Sequence, residues 1–208
     1  MQVELTETPR EKVEPQNLLF GHTFTDHMLT CEWSAEGGWG ALQIQPYGNL
    51  SIPPSASVLH YAIECFEGLK AYKDKTGNIR LFRPHLNMLR LQSSARRLSL
   101  PDFDSEELLS MIGTLLKTDA SWIPDIPGYS LYIRPTIVGM QESLGVAPPN
   151  KALLFVICSP VGPYYRTGFA AVSLYAEDRF VRAWPGGTGC YKIGAYPRSL
   201  SMLLRMLV

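Results

Sequence analysis

The chain has 208 residues, of which 46% are hydrophobic and 18% are charged, and 19 Lys and Arg residues balance 19 Asp and Glu residues. This neutral balance lacks the basic footprint of a nucleic-acid-binding protein, so we do not expect nucleic acid as a partner. No apolar run reaches the roughly 18 residues that a membrane-spanning helix needs, so we expect no membrane insertion. Length and composition are typical of a globular protein of one or two domains.

The first half of the chain contains clear local signals. Residues 1–17 combine prolines with several charges, and we expect them to form a flexible leader. Residues 24–33 are predicted to form a strand. The apolar segments 68–72 and 79–82 flank the turn-forming sequence DKTGN at 74–78, which predicts a β-hairpin.

Two helices are predicted next. Pro84 favours a helix start, because proline suits the first turn, and the helix is expected over 85–98. Asp104 is a candidate N-cap for the second helix, with Glu107 as its capping-box partner. Apolar residues follow Asp104 at helical spacing.

Three apolar segments at 129–138, 152–158 and 170–176 are predicted to be strands. The mixture of hairpins, helices and strands favours an α+β arrangement over a regular βαβ series.

Lys192 lies in the glycine-dense sequence WPGGTGCYKIG, residues 184–194. Glycines let a backbone approach a ligand closely, because they lack Cβ and tolerate positive φ. A lysine shielded from water is a common amine nucleophile toward carbonyl cofactors. The alternative is an ordinary surface lysine beside a turn. The sequence matches neither a Walker loop nor a dinucleotide fingerprint.

Other residues also suggest ligand chemistry. Arg90 adjoins the apolar stripe of its helix, which suits either a phosphate contact or a structural salt bridge. Tyr132 and Arg134 point to one face of a strand, where they bind a carboxylate or simply face solvent. Tyr61, Phe66 and Phe82 line an apolar pocket or belong to the core.

Metal binding is not predicted. The four histidines lack ligand spacing with one another or with the cysteines. His27 beside Asp26 forms either a functional pair or a packed strand histidine. The four cysteines are far apart, which favours free thiols over disulfides.

Several segments together carry a family resemblance. They are FGHTFTDHML (20–29), LHY (59–61), FEGLKA (66–71), LFRP (81–84), SLYIRP (130–135), SLGV (143–146), RAW (182–184) and GTGCYK (187–192). In order and content they resemble the eukaryotic-type branched-chain amino acid aminotransferases, which are pyridoxal-phosphate enzymes of fold-type IV.

The resemblance implies an α/β protein. An α+β small domain over 18–161 would be followed by a connector over 162–169 and by the start of the cofactor-binding large domain over 170–208. The match is lost from about residue 196, so the resemblance implies a truncated protein with a tail foreign to the family. In the family, the missing part carries the acidic partner of the pyridine nitrogen and further phosphate donors.

The resemblance also implies residue roles. Lys192 matches the catalytic lysine that forms a Schiff base with pyridoxal 5′-phosphate, and Arg90 matches the arginine that contacts the cofactor phosphate. The residues that match substrate-binding positions are Phe20, Tyr61, Phe66, Tyr132, Arg134, Leu144, Val146 and Tyr164. Among these, Leu144 and Val146 match a loop that reaches the neighbouring subunit's pocket, which implies a homodimer.

The implied reaction moves the amino group of leucine, isoleucine or valine to 2-oxoglutarate, giving glutamate and a branched-chain 2-oxo acid. The alternative is a non-catalytic truncated form of that enzyme. A D-amino acid aminotransferase or an aminodeoxychorismate lyase is a further alternative, which the FTDHML and FEGLKA segments disfavour. The expected location is the cytoplasm or the mitochondrion, and the cytoplasm is slightly favoured. The sequence leaves open whether the reaction serves biosynthesis or catabolism.

Overall fold

A computed structural model of the chain describes residues 2–164, 170, 171, 173 and 183–194. Its strands are β1 (Gln2–Val3), β2 (His27–Ser34), β3 (Gly38–Trp39), β4 (Gln43–Pro46), β5 (Glu64–Phe66), β6 (Leu69–Lys73), β7 (Ile79–Leu81), β8 (Ser130–Gly139) and β9 (Lys151–Val161). Its α-helices are α1 (Ser57–Tyr61), α2 (Pro84–Arg97) and α3 (Ser105–Thr118), and short 3-10 helices cover Pro15–Asn17 and Ala120–Trp122.

The described strands form one nine-stranded sheet. Its main path runs β1-β4-β2-β9-β8-β6-β7, while β3 pairs with β2 and β5 pairs with β8. Strands β8 and β9 pair antiparallel from Ser130 opposite Val161 to Gly139 opposite Ala152. This long pair is the spine to which the shorter strands attach. The mixed α and β content confirms the predicted fold class.

The predicted hairpin is confirmed as β6 and β7. The carboxylate of Asp74 accepts hydrogen bonds from the backbone N–H groups of Thr76 and Asn78, both at 2.9 Å, and from Arg80 Nε at 2.8 Å. Gly77 supplies the positive φ of 81° that the turn requires. Hydrogen bonds from Thr76 and Arg80 hold the pKa of Asp74 well below its usual range.

Both predicted helices are present. Helix α2 begins at Pro84, as expected. Helix α3 begins after Asp104, whose side chain accepts from the backbone N–H groups of Glu106 at 2.9 Å and Glu107 at 3.0 Å. This satisfies two of the four donors that a helix N-terminus leaves without intrahelical partners.

One hydrophobic cluster joins the helices to the sheet. Its fully buried members include Leu91, Ile112, Leu115, Leu131, Ile133 and Ile137. Burying each such side chain contributes about 1.5–3 kcal/mol relative to leaving it exposed. Helices α2 and α3 thus cover the apolar face of the central strands.

Side-chain burial alternates along residues 131–134 of β8, between the face that packs against the core and the opposite face of the sheet. Leu131 and Ile133 are fully buried, whereas the intervening Tyr132 and Arg134 are half-buried. Successive side chains of a strand point to opposite faces. The predicted pair of Tyr132 and Arg134 therefore shares the face away from the hydrophobic cluster.

The N-terminal residues are attached to the sheet. The sequence suggests a flexible leader, yet β1 pairs with β4 and the Thr6 N–H donates to His27 Nε2 at 3.0 Å. The Arg10 N–H donates to Asp26 Oδ1 at 2.7 Å. His27 is buried, and its Nδ1 lies 2.6 Å from Asp119 Oδ1. His27 and Asp26 thus serve packing and attachment here.

Other sequence-based expectations fall beyond the part of the chain that the structure describes. Most of the predicted strand at 170–176, most of the connector at 162–169 and the tail from 196 are in this group. The domain boundaries therefore stay predictions. Within the described ranges, no helix combines the length and apolar character needed to cross a bilayer.

Candidate functional site

The backbone of Lys192 is held between a strand and a helix. The Phe66 N–H donates to the Lys192 carbonyl at 3.0 Å, and the Gly194 N–H donates to the Glu64 carbonyl at 2.9 Å. From the other side, the Lys192 N–H donates to Ser94 Oγ of α2 at 3.0 Å. The glycine-dense sequence therefore lies against β5, with its lysine fixed at the sheet edge.

Two cationic side chains lie over one aromatic ring. Lys192 Nζ is 4.8 Å from the centroid of the Phe66 ring, and Arg134 Cζ is 4.5 Å from the same centroid. Cations are attracted to an aromatic face at such distances. Arg134 thus places a positive charge close to the half-buried Lys192, and this arrangement favours anionic ligands.

Arg134 is bound to Tyr132 but retains a donor without a partner. Its Nη2 donates to the Tyr132 hydroxyl at 2.8 Å. Its Nε is buried and has no hydrogen-bond partner among the described residues. Buried polar groups in proteins are nearly always hydrogen-bonded, so this donor has room for an acceptor from a ligand or from water. Gly68 makes room for Tyr132, since a Cβ at 68 would overlap the phenol.

Phe20, Tyr132 and Tyr164 pack together and form an aromatic wall. The Phe20 ring packs edge-on against Tyr132 with centroids 5.1 Å apart, and against Tyr164 with centroids 5.3 Å apart. Such edge-to-face pairs are favourable. Phe20 and Tyr164 are exposed, so this wall faces outward beside the cationic pair. The structure thus brings Phe20, Phe66, Tyr132, Arg134, Tyr164 and Lys192 into one cluster.

Arg90 is oriented by a buried carboxylate. Glu67 is fully buried, and it accepts from Nε of Arg90 and from Nη2 at 2.8 Å. Asn87 Nδ2 at 2.9 Å and the Gly68 N–H at 3.0 Å also donate to Glu67. The hydrogen bond to Glu67 raises the pKa of Arg90. The predicted structural salt bridge is therefore present, while 51% of the Arg90 side chain stays exposed.

Helix α2 places Arg90 near the lysine. Arg90 and Ser94 are four residues apart, so their side chains lie on one face about 5–6 Å apart at Cβ. Ser94 is fully buried and contacts the backbone of Lys192. One helical turn thus separates the phosphate-binding candidate from the residue that contacts the lysine.

Glu64, Glu67 and Ser94 contact candidate site residues, and sequence reasoning did not single them out for the site. Glu64 and Glu67 flank Phe66, which was identified, and Ser94 follows Arg90 by one turn. A search for polar residues two or four positions from the identified ones, on the same face, would have found Glu64 and Ser94.

Glu64 contributes a half-buried carboxyl to the site. Burial raises its pKa, and the positive charge of Arg134 opposes that rise. A Cβ at position 194 would overlap the end of the Glu64 side chain, so a larger residue there would displace the Glu64 carboxyl. Glu64 therefore lies between Arg134 and the glycine-dense segment 184–194, which we call the lysine loop.

The raised pKa of Glu64 predicts a pH-dependent stability. The folded chain holds this proton more tightly than the unfolded chain does, so Glu64 favours folding at low pH. That stability is complete below the ordinary value near 4.5 and is lost as the pH rises through the folded-state pKa. Glu64→Gln should therefore lose less stability than the unmodified chain between pH 4.5 and neutrality. Urea denaturation at stepped pH measures this, and parallel curves for the two proteins would contradict it.

Tyr61, Leu144 and Val146 form a second exposed cluster. The Tyr61 hydroxyl donates to the Leu144 carbonyl, which ties helix α1 to the loop after β8. Leu144 is 69% exposed and Val146 is 81% exposed. Apolar side chains presented this openly suit contact with another protein surface.

The described cysteines are free thiols. Cys31, Cys65 and Cys158 are buried, and Cys190 is exposed. Burial raises the pKa of Cys65 to about 12, so its thiol stays protonated and weakly nucleophilic. In the ranges that the structure describes, no group of three or more His, Cys, Asp or Glu residues is placed to hold a metal ion.

Comparison with known proteins first defines the fold. The structure is similar to the crystal structure of the branched-chain amino acid aminotransferase from Escherichia coli, with a TM-score of 0.61 and 23% sequence identity. The match covers 86% of this chain and 54% of that chain. The fold is therefore that of a fold-type IV aminotransferase, as the sequence motifs indicate. No family model matches the chain.

Sequence comparison then identifies the relatives. The chain is 56% identical over 194 residues to a branched-chain-amino-acid aminotransferase of Dictyostelium discoideum, covering 93% of this chain and 51% of the relative. It is 55% identical over 195 residues to the mitochondrial enzyme of that name from Saccharomyces cerevisiae, covering 93% and 50%. The resemblance is confirmed: the chain is homologous to the branched-chain-amino-acid aminotransferases, and it spans about half the length of the curated relatives it matches.

Proposed function

We propose that the residues around Lys192 form part of a pyridoxal-phosphate-dependent transaminase site for branched-chain amino acids. The observation that carries this proposal is the convergence of Lys192, Phe66 and Arg134 from three distant segments, with both cations over one ring. Function depends on such a site rather than on the fold alone.

The residues fit the cofactor chemically. Bound pyridoxal phosphate supplies an aldehyde that condenses with an amine, with loss of water, and a ring that delocalises the electron pair left at the substrate Cα. Lys192 provides the amine. Arg90 provides a planar cation with its exposed side, which suits a phosphate group. The orphaned Nε of Arg134 adds a buried donor for an anionic group.

The positions of the chain's own residues support the following proposed roles. Lys192 would move a proton to and from the substrate Cα as a general acid and base. Arg134 and Tyr132 would bind a carboxylate, since together they offer a guanidinium donor and a hydroxyl. Phe20, Phe66 and Tyr164 would face the branched side chain, because an apolar aromatic wall excludes water there. The proposed donors are leucine, isoleucine and valine, with 2-oxoglutarate as the acceptor.

We further propose a homodimer in which the loop carrying Leu144 and Val146 reaches the partner's site. The exposure of both residues supports this, together with the bond from Tyr61 that fixes the loop. The names of the relatives include cytosolic and mitochondrial forms. We propose a cytoplasmic location for this chain and leave the direction of metabolism open.

A second candidate is a non-catalytic form of the same protein. It is favoured by the coverage of the relatives, which is 51% for the Dictyostelium protein. The family resemblance implies that the part outside the match carries the acidic partner of the pyridine nitrogen and further phosphate donors. We therefore expect negligible transamination from the 208-residue polypeptide alone.

A chimera separates the two candidates. Residues 1–194 would be joined to the corresponding C-terminal half of the cytosolic Saccharomyces cerevisiae relative, which is 55% identical over the shared part. With pyridoxal phosphate, leucine and 2-oxoglutarate, the chimera should form glutamate, and its Lys192→Ala variant should not. A folded chimera whose activity survives Lys192→Ala would refute the proposed site. Turnover by the 208-residue chain equal to that of the chimera would refute the second candidate.

A further inference from the structure

Ser94 lies at the contact between α2 and the lysine loop. Its Oγ accepts the Lys192 backbone N–H at 3.0 Å, across 98 positions of sequence. Its exposed fraction is 0%, although serine is usually found at protein surfaces. A fully buried hydroxyl that meets the backbone of the proposed catalytic lysine requires a physical reason.

Ser94 lies inside helix α2, where a serine hydroxyl usually has another partner. A serine in the middle of a helix commonly bonds the carbonyl one turn earlier, which competes with the helix ladder. Here the hydroxyl oxygen is used to accept a hydrogen bond from a distant loop. The neighbouring Ser93 is exposed, so serine as such is not required for burial on this helix.

Geometry links Ser94 to both ends of the proposed cofactor. The amine of Lys192 and the guanidinium of Arg90 would engage the aldehyde and the phosphate of one small, rigid molecule. Arg90 is one helical turn before Ser94, and Ser94 contacts the residue that carries the amine. The separation between the two ends would therefore depend on how α2 holds the lysine backbone.

We propose that Ser94 is a positioning residue, which fixes the backbone of Lys192 at the distance from Arg90 that the cofactor requires. This inference rests on the proposed function. The backbone contacts from Phe66 and Gly194 hold the loop to β5. The Ser94 contact holds the lysine loop against α2, and it is independent of the contacts that hold the loop to β5. Small misplacements of a reacting group are costly because reaction requires a near-attack geometry.

The test measures covalent capture of pyridoxal 5′-phosphate by the chimera that contains residues 1–194, since the 208-residue chain spans about half of its relatives. The chimera is incubated with the cofactor, reduced with borohydride at timed intervals, digested, and mapped by mass spectrometry. The readout is the rate of labelling at Lys192 divided by the rate at the exposed residues Lys75 and Lys117. This ratio reports positioning, because a change in overall stability of a folded chain does not favour one lysine over another.

Three variants make the comparison specific. Ser94→Ala removes the acceptor, and Ser94→Cys fills the space with a poor acceptor. Ser93→Ala is the matched control on the exposed side of the same helix. Losing a hydrogen bond at a reacting group corresponds to about a fivefold to tenfold change in rate. We expect that fall in the ratio for both Ser94 variants and none for Ser93→Ala.

The outcomes distinguish the two levels of the proposal. Preferential labelling of Lys192 that is unchanged in the Ser94 variants would overturn the positioning role and leave the cofactor site intact. No preference for Lys192 in the unmodified chimera would overturn the proposed cofactor site and the positioning role with it. If Ser94→Ala does not fold by circular dichroism, Ser94→Cys decides the question, because it keeps the buried volume filled.

Discussion

Arg90→Ala is expected to lower the free energy of unfolding by about 3–5 kcal/mol, because it leaves a buried carboxylate without its cation. Glu67 is fully buried, and it would keep only the donors from Asn87 and Gly68. The reverse change, Glu67→Ala, should cost less, about 2–3 kcal/mol, since the half-exposed Arg90 can rehydrate. Urea denaturation of the two variants measures this asymmetry.

Arg80→Ala is the matched control for the Arg90 variant. Arg80 also forms an ion pair, with Asp74, but its side chain is 65% exposed. Exposed ion pairs contribute little to stability, so this variant should stay close to the unmodified chain. Equal losses for Arg80→Ala and Arg90→Ala would mean that Glu67 is hydrated and that the buried pair does not exist in solution.

Gly68→Ala should disrupt the contact between Tyr132 and Arg134. A Cβ at 68 would overlap the Tyr132 hydroxyl and lie 2.8 Å from Cζ of the same ring, so the phenol must move. Overpacking of this kind costs about 1–3 kcal/mol. The bond from Arg134 Nη2 to the Tyr132 hydroxyl would be lost, and with it the proposed carboxylate site. The expected result is lower stability and, in the active chimera, a several-fold higher KM for 2-oxoglutarate on account of the lost charged hydrogen bond.

Gly113→Ala is the control for the glycine substitution. Gly113 is inside α3, and a Cβ added there would meet no neighbouring atom within 4 Å. Alanine there should stabilise the chain by up to about 1 kcal/mol, because alanine is the better helix former. A Gly68→Ala variant with unchanged stability and unchanged KM would show that Tyr132 moves freely and does not position Arg134.

Local signals made much of the fold predictable. The hairpin of β6 and β7 follows from a short turn sequence whose Asp74 and Gly77 act within a few residues. Helix α3 follows from its Asp104 cap and from apolar spacing. The face shared by Tyr132 and Arg134 follows from strand alternation alone. Each of these features depends on neighbours in sequence, which is why pattern suffices.

The remaining features depend on contacts across long stretches of sequence. Ser94 meets Lys192 across 98 positions, and His27 meets Asp119 across 92. No periodicity encodes such pairs. The sequence also left the role of Arg90 open between phosphate and salt bridge, and only the burial of Glu67 shows that the salt bridge exists. The leader residues likewise show their attachment to β4 only in the folded chain.

The most direct test of the central claim is to locate the lysine that captures pyridoxal 5′-phosphate. The unmodified chimera and its Lys192→Ala variant would be incubated with the cofactor, reduced with borohydride and mapped by peptide mass spectrometry. We predict a single dominant adduct on the peptide that contains Lys192, and its loss in the variant. An adduct spread over exposed lysines such as Lys75 and Lys117, or a pattern unchanged by Lys192→Ala, would contradict the account.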